Sequence, residues 1–147
     1  MATTVIEQNG VERLFNRMMN WMAKHGFGPM GMQQLIVRGR ASGKERTAAV
    51  NPLPLDGSLY LVAARGETQW VRNARVARTV VLRTRSRRSA YVIEQVHGDE
   101  AVPVLRAYLK KWGFEVKSFF DGVGPDASAA DLAAAAEVHP VFRLTPA

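Results

Sequence analysis

From Gln34 onward the chain breaks into six short β-prone runs: Gln34–Arg38, Thr47–Leu53, Ser58–Ala64, Thr79–Thr84, Ala90–Val96 and Val141–Leu144. Turn chemistry such as Asp56-Gly57 separates several of them. Runs of four to seven residues satisfy their backbone groups only by pairing with one another, and so many of them in one chain imply a small barrel or strongly curled antiparallel sheet. The period differs before and between these runs. Val11, Leu14, Phe15, Met18 and Met22 follow the three-and-four spacing of an amphipathic helix within Gly10–Lys24, and His25–Gly31, with three glycines and a proline, reads as the loop that ends it. Thr68–Ala77, Asp99–Trp112 and Ser128–Glu137 read as further helices, the last stopped by His139-Pro140. The expected class is α+β, mainly β: about six antiparallel strands in a small barrel or strongly curled sheet, one N-terminal helix and two or three further helices. At 147 residues the chain suits a single domain over 1–147, with 1–30 as helix and loop and 33–145 as the barrel.

Residues Gly39-Arg40-Ala41-Ser42-Gly43-Lys44-Glu45-Arg46 place three cations, a hydroxyl and two glycines directly after the first apolar run. Glycines let successive backbone N–H groups converge, and Arg40, Lys44, Arg46 and Ser42 add charge and donors, so the segment reads as a cradle for phosphate or clustered carboxylates. Charge distribution points the same way. Between Ile36 and Arg88 there are twelve Lys/Arg against three acidic residues, while the rest of the chain is slightly acidic. The basic middle therefore implies an anionic partner: nucleic acid, an anionic membrane surface or a polyanionic cofactor.

Cysteine is absent, which removes disulfides, thiolate nucleophiles and thiolate metal sites. His25, His97 and His139 are too dispersed for a metal site and read as structural. No run of about 18 apolar residues occurs, so a soluble cytoplasmic protein is expected, with peripheral membrane contact through the N-terminal helix left open. Arg83, Arg85, Arg87 and Arg88 read as outward arginines guarding an edge strand, with a reach to a cofactor tail or anionic surface as the alternative.

The ordered set Gly39-Arg40-Ala41-Ser42-Gly43-Lys44-Glu45-Arg46-Thr47, Asp56-Gly57, Leu61-Val62-Ala63-Ala64-Arg65-Gly66 and Trp70-Val71-Arg72-Asn73, closed by His139-Pro140-Val141-Phe142-Arg143-Leu144, resembles the deazaflavin-dependent nitroreductase family over roughly residues 33 to 145. The resemblance implies a flavin-reductase-type split barrel that binds coenzyme F-420, an 8-hydroxy-5-deazaflavin, and passes a hydride from its reduced form to an organic acceptor. Its tail, a phosphodiester with several glutamates, would account for the positive segment. By the same resemblance Arg40, Ser42, Gly43, Lys44 and Arg46 would hold the phosphate and tail, Ala63, Ala64 and Arg65 would lie against the ring edge, and Trp70, Val71 and Asn73 would flank the ring. Trp112, Phe119 and Phe120, with Met18 and Met22, are the expected acceptor-pocket wall, and Tyr108 and Tyr60 the candidate proton donors. Some members carry a tyrosine where Val71 stands and a tyrosine-rich pocket segment. This chain therefore favours flat apolar acceptors such as quinones or enones, with nitro compounds also in the class. The competing readings are a nucleic-acid or anionic-surface binder and a split barrel holding FMN or heme, or acting as a carrier. FMN, with one phosphate and no glutamate tail, makes less use of the cations. Either a monomer or a homodimer suits the fold.

Overall fold

The computed structural model describes Arg17, residues 32–85 and residues 87–147. The expected N-terminal helix, and with it Met18 and Met22, lies outside the described residues except for Arg17, which is helical and exposed. Seven strands form, β1 Gln33–Arg38, β2 Glu45–Val50, β3 Leu53–Leu55, β4 Ser58–Val62, β5 Thr79–Arg83, β6 Arg88–Val96 and β7 Val141–Pro146. The helices are α1 Gln69–Ala77, α2 Gly98–Val116 and α3 Ala129–Val138, with a 3-10 turn at Lys117–Phe119. All ladders are antiparallel, in the order β2-β1-β5-β6-β7-β4-β3.

The mainly β, curled sheet agrees with the expected class, but the run read as one strand over Thr47–Leu53 is two. Pro52 has no N–H to donate, so the ladder with β1 ends at Val50 and β3 starts afresh against β4. β2 and β3 are the two edges of the sheet, and only Asn51-Pro52 joins them. A connection this short holds the edges within about 10 Å of each other, so the sheet must curl round. The Asp56-Gly57 hairpin forms as its residues imply, with φ of 49° and 81°, the positive pair that a type I′ turn requires.

The curl separates two cores, and period-two alternation assigns residues to each. Leu61, Phe142 and Ile93 face one core with Leu35, Val37, Val71, Val80 and Leu82. Their neighbours Val62, Val141 and Val96 face the other, under Leu105, Tyr108, Leu109, Trp112, Phe120 and Leu132 from the α2–α3 side. α3 starts where Ser128 Oγ accepts the Asp131 N–H at 3.1 Å. β5 and β6 are flanked on both sides within the sheet, so the arginines of Arg83–Arg88 guard no edge strand. That expectation fails because sheet order is set by non-local pairing.

Candidate functional site

The β1–β2 connection, Gly39 to Lys44, folds back on itself through Gly39 N–H to Lys44 O at 2.8 Å and Gly43 N–H to Gly39 O at 2.9 Å. Gly39 is buried, and a Cβ there would meet Ser42 Oγ at 3.0 Å and the Lys44 carbonyl oxygen at 3.2 Å, so a larger residue would have to push the loop open by a few tenths of an ångström. Ser42 Oγ accepts from the Lys44 N–H at 3.2 Å and from Arg46 Nη2 at 3.4 Å. Lys44, Arg46 and Ser42 thus share one exposed tip.

α1 locks this loop in place. Asn73 Oδ1 accepts the Arg40 backbone N–H at 3.0 Å and Arg40 Nη1 at 2.8 Å, and Gln69 Oε1 accepts the same Nη1 at 2.9 Å. Gln69 and Asn73 are four apart on one helix face, which lets both reach one guanidinium. Asn73 is 4 % exposed, so its oxygen serves the loop and its side chain does not flank a ring. Val71 is 0 % exposed and lies in the core. Of the three residues expected to flank the ring, Trp70 remains half-buried, tilted on Phe142 with centroids 5.7 Å apart.

The end of β4 completes the region. Ala63 N–H donates to Pro140 O at 2.8 Å, and Gly66 N–H returns to Ala63 O at 3.0 Å. His139 Nδ1 lies 2.9 Å from Ala64 O. A carbonyl only accepts, so this nitrogen carries the proton. Burial lowers the His139 pKa from the ordinary 6.5, against the raising pull of the Ala64 and Ala63 hydrogen bonds and the Asp121 charge. Its ring stacks on Phe120 at 4.0 Å between centroids. The Arg65 guanidinium stands 4.8 Å from the Phe119 ring centroid. Glu67 takes both terminal nitrogens of Arg75, one at 2.6 Å, and ties the turn before α1 to the helix.

The aromatic wall expected over an acceptor is placed differently. Trp112 and Phe120 are each 1 % exposed and Tyr108 is 4 % exposed. Tyr108 packs on both, with centroids 5.3 and 6.5 Å away. These three build the core under α2, because a helix face this apolar gains more from burial than from lining an opening. Tyr108 is accordingly too enclosed to hand a proton to an acceptor. Phe119 is half-buried and keeps a surface, as does Tyr60 on β4.

The head of α1 carries polar groups that a ligand can engage. Thr68 heads α1 with no side-chain cap, and its Oγ1 is buried without a partner in the chain, beside half-buried Trp70. This hydroxyl and the leading N–H groups, which have no side-chain cap, are unspent polar capacity. Of the two small residues at the end of β4, Ala63 is buried in one core and Ala64 is half-buried against the other. Sequence reasoning missed Gln69 and the locking role of Asn73; the four-residue spacing was the available signal, without its partner 29 to 33 residues away.

The sequence profile of the F420H(2)-dependent quinone reductase family matches residues 13–114. No curated protein sequence matches the chain. Among solved structures, one described as an F420-H2 dependent reductase is 16 % identical with a TM-score of 0.54, covering 78 % of this chain and 94 % of its own. The heme storage protein HutZ from Vibrio cholerae is 13 % identical with a TM-score of 0.55, covering 81 % and 83 %. A nimC/nimA family protein from Clostridium acetobutylicum is 14 % identical with a TM-score of 0.52, covering 93 % and 88 %. At these identities the likenesses establish the fold, which proteins named for different ligands share.

Proposed function

The chain belongs to the F420H(2)-dependent quinone reductase family, a family of coenzyme F-420-dependent oxidoreductases, and from that premise we propose that it reduces a flat apolar acceptor of the quinone or enone class. When bound, the reduced coenzyme supplies the hydride. The observation that carries the reading is the Arg40–Asn73–Gln69 lock, which holds a cationic loop against the uncapped head of α1.

In this reading Ser42, Gly43, Lys44 and Arg46 take the phosphodiester at the loop tip, and Arg40, spent largely on the lock, holds the loop in shape. Charge-assisted hydrogen bonds to phosphate suit the exposed guanidinium and ammonium groups. Ala64, half-buried at the end of β4, lets a planar ring approach the strand end, with His139 fixing its carbonyl. Thr68 Oγ1 and the free N–H groups of α1 offer hydrogen bonds to the polar edge of the ring, and Trp70 forms a flat apolar side. No side chain is assigned to proton delivery; water reaching Tyr60's half-exposed face is sufficient for an acceptor that becomes anionic.

Titrating the purified protein into coenzyme F-420, with FMN alongside, tests this by fluorescence, followed by addition of a quinone to the reduced complex. Selective binding with consumption of reduced coenzyme supports it; equal or tighter binding of FMN sinks it.

A further inference from the structure

Resting on that reading and extending it, we propose that Arg83, Arg85, Arg87 and Arg88 form a second anion site that takes the carboxylates of the coenzyme's glutamate tail, leaving the phosphodiester to the loop at 39–46. The β5–β6 tip is closed by Thr84 N–H donating to Arg87 O at 2.8 Å. Around it Arg83, Thr84, Arg85, Arg87 and Arg88 line a concavity of about 260 Å³, with no acidic residue in its wall among the described residues. Collecting four guanidinium groups there costs mutual repulsion. Because β5 and β6 are both interior strands, protection of a sheet edge does not explain the cluster.

Its position relative to the first site supports a shared ligand. Arg88 Nη2 lies 3.6 Å from Glu45 Oε1, with side chains 53 % and 70 % exposed. Glu45 directly follows Lys44 and precedes Arg46, so the arginine tip and the cradle are neighbours across one side-chain contact. Glu45 is the opposing charge on this track and offsets one of the arginines. A guanidinium pairs with a carboxylate through two parallel hydrogen bonds, and several exposed ones spaced over a shallow surface suit a flexible polycarboxylate better than a compact phosphate.

The test is fluorescence titration of the full chain at low salt with coenzyme lacking glutamates and with coenzyme carrying a long glutamate tail. Each exposed pair contributes a factor of about 1.5 to 5, so the long-tailed form should bind wild type about tenfold tighter. The double variant Arg85→Ser with Arg87→Ser should bind both forms alike, and Glu45→Gln should widen the difference in otherwise wild-type protein. Tail preference persisting in the double variant, or absent from wild type while both forms bind, overturns this proposal and leaves the reductase reading standing. Failure of both forms to bind overturns both. Loss of binding to phosphatidylglycerol vesicles in the double variant, with tail preference intact, also overturns it and assigns the arginines to a lipid surface.

Discussion

Two hairpin tips in this sheet carry dense positive charge, and they are built differently. The β1–β2 loop is keyed: Arg40 gives its backbone and side chain to Asn73 and its side chain to Gln69, and a Cβ at Gly39 would crowd Ser42 and the Lys44 carbonyl. The β5–β6 tip is closed by the Thr84–Arg87 turn hydrogen bond, sets Arg88 beside Glu45 and presents its arginines around an open concavity. Charge density in sequence is similar in both, so it does not distinguish a preorganised phosphate cradle from an adaptable polyanion surface. The partners that each cation has already accepted make that distinction.

Removing the key should produce the largest effect. Asn73→Ala leaves the Arg40 N–H without its acceptor at a part-buried position, at a cost of about 1 kcal/mol. It should lower the thermal midpoint and weaken coenzyme binding more than tenfold, read by calorimetry and fluorescence titration; a loss in the midpoint with full affinity retained would mean that the loop needs no lock. Gly39→Ala comes next, at about 1 kcal/mol from the contacts with Ser42 Oγ and the Lys44 carbonyl, whereas Thr84→Ala at the other tip should stay within about 0.5 kcal/mol. Equal losses at the two tips would break the comparison.

Acid should separate the regions further. His139 favours its neutral form in the fold, with a pKa below the ordinary 6.5, so its contribution is fully present above pH 6.5. It declines as pH falls from there toward the lowered folded value, because the unfolded chain takes up the proton first. His139→Gln should flatten that part of a pH–stability profile measured by urea denaturation, and a profile identical to wild type would remove His139 from the account. The β5–β6 tip at residues 83–88 contains no histidine, so it should be indifferent. The smallest effect is expected for Arg85→Ser with Arg87→Ser on stability, within about 0.5 kcal/mol.

Local chemistry was readable. The Asp56-Gly57 turn, the helices starting near residues 69, 98 and 129 and the Gly39–Lys44 bend all follow from residues within a few positions of one another. The strand alternation also gave the curled antiparallel class. What escaped was long-range. Nothing near Thr47–Leu53 shows that Pro52 divides it between two opposite edges, and nothing near Arg83–Arg88 shows that its strands are interior. Asn73 was expected to flank a ring, but its oxygen is claimed by Arg40, 33 residues away. Trp112, Phe120 and Tyr108 have the composition of a pocket wall and of a core layer alike, and only packing under α2 decides for the core.

Asn51-Pro52 has a mechanical consequence. Since it joins the sheet's outermost strands, the barrel's seam is fastened by covalent chain and not by a ladder. A protease cut at this corner would leave every strand pairing in place while unfastening the seam. The nicked protein should then hold its secondary structure yet breathe along that line, loosening the cradle attached to β2 before the arginine tip on β5 and β6.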